Sequence, residues 1–258
     1  MTVTEDQSKD LNGSRNTSHF ENESWVEKPW KKFEIVVFRL QKRIYKASRE
    51  GNFRKVKKLQ RLLLKCRSAK FLAIRQVTQL NTGKKTPGID GIASLNEAER
   101  LQLIKELQGK SQKWNHREVR RIFIPKKNGD KRPLGIPVMT DRAWEALIKF
   151  ALEPAAEAEF HPRSYGFRPG RSTWDAAQDI FLSTKSNATK FSGKIYELDI
   201  EKCFDRIDHK YQMQTICLPK QYKMGVWRAL KAGVMIGFNR EDTMEGTPQG
   251  GVCAPLTQ

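Results

Sequence analysis

Basic residues dominate one continuous part of this chain. Residues 31–85 contain 18 lysines and arginines but only two acidic residues, which accounts for most of the formal charge of +19. A same-sign field of this density opposes compaction of the segment unless a polyanion offsets it. A solvated face without a partner is the ordinary alternative, but the density of cations favours a surface that binds RNA or DNA.

Apolar residues recur at helical spacing inside this basic segment. A first stripe consists of Phe33, Val36, Val37, Leu40, Ile44 and Ala47, and it ends before Gly51-Asn52. A second stripe consists of Val56, Leu59, Leu63, Cys66, Ala69, Ala73, Val77 and Leu80. The pattern predicts two antiparallel helices with basic outer faces, joined by a short turn. The side chains that we expect to contact RNA phosphates are Lys42, Arg43, Lys46, Lys57 and Lys58.

The remaining composition narrows the class of protein. Residues 1–24 are rich in Ser, Asn, Thr and acids, which predicts a disordered leader. The four cysteines form no CxxC pair and the four histidines are scattered, so neither a zinc site nor a disulfide framework is indicated. No apolar run approaches the length of a membrane span and the N-terminus is not signal-like. We therefore expect a cytoplasmic protein without a membrane partner.

A cationic hairpin is predicted in the middle of the chain. The β-prone runs 119–125 and 132–138 flank a turn that contains Asn128-Gly129. Six cations lie on this small element: Arg120, Arg121, Lys126, Lys127, Lys131 and Arg132. A tip of this kind can clamp phosphates as a mobile flap, and a merely solvated tip is the alternative.

Local signals predict the helices on either side of the hairpin. Ser94 to Glu97 has the form of a capping box, which predicts a helix from about Leu95 to Lys110. Asp141 is predicted to cap the next long helix, which is expected to stop near Pro154. Three later helices are predicted: one through Trp174 and Phe181, one from about His209 and one from about Tyr222 to Ile236.

The loop at residues 164–173 combines residue types that suit a nucleic-acid strand. It contains Tyr165, Phe167, Arg168 and Arg171 together with two glycines. Glycine lets a backbone approach closely, arginine pairs with phosphate, and an aromatic ring can stack on a base or sugar.

Residues 195–200 form a β-prone run in which the carboxylate of Asp199 stands next to the last residue. A carboxylate at the end of a buried strand is costly unless a cation compensates it, and Mg²⁺ is the natural candidate. The alternative is that Asp199 caps a helix that begins around Cys203.

Five blocks in this order resemble the group II intron-encoded reverse transcriptase/maturase family. They are the basic segment from Arg39 through Thr86-Pro87-Gly88-Ile89-Asp90-Gly91, the hairpin from Ile124 to Pro137, Ser164 to Ser172, Leu198-Asp199-Ile200 with Phe204-Asp205, and Gly246 to Gly251. Each block alone is weak, but the ordered set is specific. The resemblance covers residues from about 25 to 258.

The resemblance implies an α+β fold, the fingers and partial palm of a right-hand polymerase preceded by a basic helical N-terminal domain. The expected divisions are a leader (1–24), the N-terminal domain (25–91) and the fingers with part of the palm (92–258). The implied reaction is template-directed nucleotidyl transfer from a dNTP to a DNA primer with two Mg²⁺ ions. The implied partners are the primer, its template and group II intron RNA.

The resemblance also implies roles for single residues. Asp199 would be the catalytic carboxylate and a metal ligand, with the backbone carbonyl of Ile200 assisting it. Nucleotide-binding roles fall to four residues, with Lys126 and Arg132 on the triphosphate, Phe204 under the sugar, and Gln249 on the nucleotide or template. Arg168 and Arg171 would contact RNA.

One departure from the family pattern matters most. The family's second palm motif carries an Asp-Asp pair, and no such pair occurs in these 258 residues. We therefore expect this polypeptide to be inactive as a polymerase by itself, as a gene fragment, a decayed copy or one half of a split enzyme whose second polypeptide supplies the rest of the palm and thumb. The alternative is a non-catalytic intron RNA-binding splicing cofactor.

Overall fold

The computed structural model describes residues 24–125, 129–185, 194, 196–201 and 203–247. The predicted leader, apart from Ser24, lies outside the described residues, and so do Lys126 and Gln249.

Eight helices and four strands are described in this part of the chain. The helices are α1 (Trp30–Arg49), α2 (Phe53–Lys65), α3 (Arg67–Arg75), α4 (Glu97–Lys110), α5 (Met139–Glu159), α6 (Thr173–Thr184), α7 (His209–Thr215) and α8 (Lys220–Leu230). The strands are β1 (Val119–Pro125), β2 (Lys131–Ile136), β3 (Val234–Ile236) and β4 (Asn239–Glu241). A π-helical turn at Gln76–Leu80 and single turns of 3-10 helix lie at Thr82–Lys85, Ser111–Lys113 and Cys203–Asp205. The α+β fold class is confirmed.

Helix α5 is the centre of the helical core, because α1, α2 and α3 all pack against it. Ile44, Leu63, Ile74 and Leu147 are completely buried there. The two predicted apolar stripes face inward except at the end of the second, where Leu80 is 57% exposed. The second stripe is nevertheless not one helix, because Cys66 has an extended backbone that separates α2 from α3.

The bend at Cys66 determines how Phe71 packs. It allows α3 to bury the Phe71 ring 5.7 Å from Trp25 and 5.3 Å from Phe33, measured between ring centroids. Trp25 also donates its indole N–H to Gln79 at 3.0 Å. The aromatic cluster thus ties the start of the described chain to α1 and α3.

The prediction that α5 stops near Pro154 is wrong, since the helix continues to Glu159. Proline in a helix interior removes one N–H and crowds the carbonyl four residues earlier, here that of Phe150. The Gln41 side chain donates to this carbonyl at 3.1 Å. Gln60 likewise donates to the carbonyl of Ala151 at 3.1 Å. Neighbouring helices therefore satisfy the carbonyls on the disturbed turn.

The start of α4 lies two residues later than predicted. Its capping box is formed by Asn96 and Glu99, whose reciprocal bonds measure 2.9 and 2.7 Å, and not by Ser94 and Glu97. The Glu97 carboxylate instead accepts a hydrogen bond from the backbone N–H of Trp25.

Asp141 lies in the first turn of α5 and is not its cap, which is Val138. The buried Asp141 carboxylate accepts hydrogen bonds from the Trp114 indole at 2.8 Å and from the backbone N–H of Arg117 at 2.9 Å. Burial raises the pKa of Asp141 to about 6. His116 lies 3.6 Å from it, but burial lowers the pKa of His116 to about 3, so the imidazole is neutral.

The sheet has the order β2-β1-β3-β4. The predicted hairpin is confirmed: β1 and β2 are antiparallel, with Arg120 opposite Ile136 and Pro125 opposite Lys131. Strand β3 joins β1 in parallel through Val119 opposite Val234.

The prediction of one helix from Tyr222 to Ile236 is wrong at its C-terminal end. Helix α8 ends at Leu230, and Gly233 has a φ of +82°, which an L side chain rarely adopts. The chain then enters β3, whose residues pair with β1 and β4. Pairing within the sheet thus overrides the helical spacing of the last residues.

Candidate nucleotide site and nucleic-acid interface

The segment around Asp199 is an exposed loop. The predicted strand is wrong for described residues 196–201, which have no strand structure. Leu198 is 92% exposed and Ile200 is 73% exposed. A strand requires a partner for its backbone groups, and none of the described strands pairs with this segment.

The Asp199 carboxylate is open to solvent. Its Oδ1 accepts a hydrogen bond from the adjacent N–H of Ile200 at 3.0 Å. The alternative of a helix cap at Asp199 stays a prediction, because Lys202, between Asp199 and the 3-10 turn at Cys203–Asp205, lies outside the described residues. Carboxylate and carbonyl oxygens are the donors that Mg²⁺ prefers, and the residue types at Asp199 and Ile200 fit this ion. Within the described ranges, no group of three His, Cys, Asp or Glu side chains is placed to hold a metal.

Two sequence blocks that are forty residues apart meet directly. The backbone N–H of Thr247 donates to the carbonyl of Phe204 at 2.7 Å, and that of Gly246 donates to the carbonyl of Ile207 at 2.9 Å. Gly246 has a φ of +78°, and a Cβ there would lie 2.6 Å from the carbonyl oxygen of Asp205. Glycine is required at this position both by conformation and by space.

His209 stabilises the same junction through a contact with Gly246. Its imidazole is buried, and Nε2 lies 2.6 Å from the carbonyl oxygen of Gly246. The ring also packs edge-on against Trp227, with centroids 6.3 Å apart. Burial lowers the pKa of His209, so the ring is neutral at pH 7 and donates to this carbonyl through Nε2–H. Sequence reasoning missed His209, because a histidine in the first turn of a helix gives no signal of its contact with Gly246.

The loop at residues 164–172 reaches the same place. The Phe167 ring lies edge-on to Phe204, with centroids 6.4 Å apart. Phe167 has a φ of +57°, which is uncommon for an aromatic residue, and its side chain is 71% exposed. Three of the five predicted blocks therefore converge at Phe204.

Arg168 and Arg171 differ in how they are used. Arg168 is buried and binds both oxygens of Glu157 while also donating to the carbonyls of His161 and Ser164. Two of these four N–H bonds tie the loop to α5 and two brace the loop itself, which does not favour the predicted RNA contact. Arg171 is exposed and lies over the Tyr165 ring at 5.6 Å, so its position suits that contact.

Arg132 lies on β2 opposite Ile124 and is exposed near the turn end of the hairpin. Its predicted partners in nucleotide binding, Lys126 and Gln249, lie outside the described residues. The structure places Arg132 on the strand predicted for it and does not describe the pocket that the three would form.

The basic face of the N-terminal helices points outward. Each of the five predicted RNA-contacting side chains is exposed: Lys42, Arg43, Lys46, Lys57 and Lys58. The two acids of this segment each pair with a cation, since Arg75 contacts Glu34 at 3.3 Å and Lys55 contacts Glu50 at 3.9 Å. The net positive field of α1 and α2 therefore reaches the solvent.

Comparison with protein families agrees with this arrangement. A family described as the N-terminal domain of reverse transcriptase matches residues 25–107. A second, described as reverse transcriptase (RNA-dependent DNA polymerase), matches residues 124–258, which is more than half of the chain. The chain belongs to the reverse transcriptase family.

Three curated relatives extend this comparison within the reverse transcriptase family. Maturase-like protein 1 of Euglena gracilis is 31% identical over 84% of this chain and 48% of its own length. Protein YkfC of Escherichia coli is 34% identical over 77% of this chain and 54% of its own length. The group II intron-encoded protein LtrA of Lactococcus lactis is 36% identical over 83% of this chain and 35% of its own length. The chain thus spans from about a third to about half of these relatives.

No helix that the structure describes in this reverse transcriptase family member combines the length and the apolar character needed to cross a membrane.

Proposed function

We propose that this chain contributes the fingers and the first part of the palm to an RNA-directed DNA polymerase of the group II intron type. The observation that supports this most directly is the junction at Phe204, which Phe167 of the 164–172 loop and Thr247 both contact and which follows Asp199 by five residues in the chain. Residues from three separated blocks are brought to one place, as a nucleotide site requires.

In this proposal the chain's residues position the reactants. Asp199 and the carbonyl of Ile200 hold Mg²⁺, which when bound supplies positive charge that neutralises the reacting phosphates. Arg132 and Lys126 hold the triphosphate of the incoming nucleotide. Phe204 packs under its sugar and excludes a 2′ hydroxyl, and Gln249 contacts the nucleotide or the template.

The reaction needs positioning more than a nucleophilic side chain. The 3′ oxygen of the primer attacks the α-phosphate and gives up its proton to water, an ester bond from O3′ to the α-phosphorus forms, and the bond from that phosphorus to the bridging oxygen breaks as pyrophosphate leaves with the electron pair. The antiparallel pairing of β1 with β2, from Arg120 opposite Ile136 to Pro125 opposite Lys131, supports Arg132 near the turn, where it can reach the triphosphate.

We further propose that Asp199 works together with carboxylates from another polypeptide segment. The 258 residues contain no Asp-Asp pair, and one carboxylate does not organise two magnesium ions. These 258 residues alone are then inactive, and a further segment with the rest of the palm and thumb completes the site.

Complementation tests this proposal. Adding a polypeptide that carries an aromatic-x-Asp-Asp motif and a thumb should give Mg²⁺-dependent extension of a DNA primer on an RNA template, whereas either polypeptide alone should give none. Asp199→Asn should abolish the extension, and Asp242→Asn, the same change at an exposed carboxylate elsewhere, should leave it unchanged. Extension by the isolated chain, or by the complemented Asp199→Asn variant, contradicts the proposal.

A second candidate function is splicing assistance through RNA binding alone. The outward basic face of α1 and α2 supports it, because phosphate contacts there need no catalytic site. Binding of structured RNA should weaken steeply with salt, and neutralising Lys57 and Lys58 should reduce the slope by roughly one per lost contact. An RNA affinity that barely changes with salt would exclude the basic face of α1 and α2 as a phosphate-binding surface.

A further inference from the structure

The outer face of α1 carries more than lysines and arginines. Positions that are alternately four and three residues apart form one stripe, which we call the outer α1 stripe: Lys31, Ile35, Phe38, Lys42, Tyr45 and Arg49. Its three apolar members are unusually exposed for their size, with Ile35 at 44%, Phe38 at 60% and Tyr45 at 40%.

Helical geometry places this stripe directly away from the core. At 100° per residue, its six members lie within about 40° of one line along the helix. Leu40 and Ile44, which are buried against the other helices, lie on the opposite side. Phe38 and Tyr45 are seven residues apart and thus about 10 Å apart along the axis.

Cations are interleaved with the rings. The ammonium group of Lys42 lies 5.6 Å from the centroid of the Phe38 ring, so a charge that suits phosphate is held next to an exposed aromatic face. Lys31 and Arg49 stand at the two ends of the stripe. Glu34, an acidic neighbour on the same helix, is paired with Arg75.

This combination identifies the ligand more closely than charge alone. A phosphate backbone in a duplex needs only the cations, and an apolar protein partner would have to desolvate the ammonium group of Lys42 at the centre of the stripe. Unpaired nucleotides present both a phosphate and an aromatic face at each step. We infer that the outer α1 stripe is a stacking site for unpaired nucleotides of an RNA, with Phe38 and Tyr45 under the bases and Lys42 on the phosphates.

The inference rests on the proposed RNA binding by the basic face, and the test separates the two. The probes are a fluorescein-labelled RNA hairpin with an unpaired loop of about eight nucleotides and a fully paired RNA duplex of equal length. The double variant Phe38→Leu/Tyr45→Leu keeps every cation. Phe238→Leu is the matched control, because it removes a wholly exposed ring from the turn between β3 and β4.

The double variant should bind the hairpin about tenfold or more weakly, because each stacked base contributes a comparable factor. Its duplex affinity and its salt slope should stay at the wild-type values. A 2-aminopurine base in the loop should be quenched by the wild-type protein and by the Phe238→Leu variant but not by the double variant.

Other results overturn the inference. Equal losses on hairpin and duplex, or no loss on either, remove the stacking role while a steep salt slope leaves the basic-surface proposal standing. A wild-type RNA affinity that does not change with salt contradicts the basic-surface proposal itself, and the stacking inference falls with it.

If sedimentation shows that the double substitution converts an oligomer to a monomer, the stripe is instead an interface between copies. An unchanged urea midpoint confirms that the variant is folded.

Discussion

The helical core around α5 and the loop around Asp199 contain similar apolar residues in very different surroundings. Ile44 on α1 has no exposed surface, whereas Leu198 is 92% exposed. Trp174 on α6 is 81% exposed although its helix is well formed. The difference shows that burial follows from the elements that cover a residue, and not from its hydrophobicity.

The physical reason is the way in which backbone groups are satisfied. A helix satisfies its own N–H and C=O groups and needs only one covered face, so α1 packs as soon as α5 lies beside it. A strand depends on neighbours for its hydrogen bonds, and residues 196–201 have none among the described strands. The catalytic candidate therefore lies in a described segment that neither a helix nor a strand partner orders.

The largest expected effect tests this comparison directly. Ile44→Ala should lower the free energy of unfolding by about 2–5 kcal/mol, because it leaves a cavity between α1 and α5. Leu198→Ala should change it by no more than about 0.5 kcal/mol, since water already surrounds that side chain. Urea denaturation followed by tryptophan fluorescence measures both values. Equal effects would mean that the Asp199 loop is covered in solution.

The pH dependence of stability should expose the buried His116–Asp141 pair of the helical core. The folded chain keeps His116 neutral with a pKa of about 3, whereas the unfolded chain takes up a proton near pH 6.5, so acidification below 6.5 costs stability. Asp141 acts oppositely. Its folded pKa of about 6 exceeds the unfolded value, so protonation between pH 6 and 4 favours the folded state.

These two effects should nearly cancel between pH 6 and 4 in the wild-type protein. Asp141→Asn keeps an acceptor for Trp114 but no longer titrates, so a slope of about 1.4 kcal/mol per pH unit should appear. Urea midpoints across this pH range give the measurement. Parallel curves for the two proteins would show that Asp141 is not the compensating group.

The effect expected at the Phe204 junction is smaller than that of Ile44→Ala. Gly246 and Gly237 both have a positive φ, but a Cβ at Gly246 meets the Asp205 carbonyl at 2.6 Å while one at Gly237 meets nothing within 4 Å. Gly237→Ala should cost about 1 kcal/mol from conformation alone, and Gly246→Ala roughly 1–2 kcal/mol more. The fluorescence of Trp227, which contacts His209, should change only in the Gly246 variant. Equal losses of unfolding free energy in the two variants would mean that the Phe204 junction accommodates a Cβ at Gly246 without strain.

Signals within a few residues were sufficient for part of the fold. The Asn128-Gly129 turn between β-prone runs predicted the hairpin, and the spacing of Phe33 to Ala47 predicted α1. Both elements are determined by local hydrogen bonds and by one covered face.

Structural features that depend on partners far away in the chain could not be predicted from the sequence. Ser94 and Asn96 are both acceptable caps, and the choice depends on Glu97 being engaged by Trp25, seventy-two residues away. Pro154 stays inside α5 because Gln41 reaches the carbonyl of Phe150. At the candidate site, the residue types around Phe204 were predicted, but the contact of His209 with Gly246 arises only when the two blocks meet.

The parallel pairing of β1 with β3 has a consequence for synthesis on the ribosome. Val119 and Val234 are 115 residues apart in the chain, so the β1–β2 hairpin emerges long before its neighbouring strand exists. At the usual 5–20 residues per second, the free edge of β1 waits on the order of ten seconds for β3. During that interval the exposed edge is open to pairing with another nascent chain, and the charged side chains Arg120 and Arg121 on it discourage such pairing.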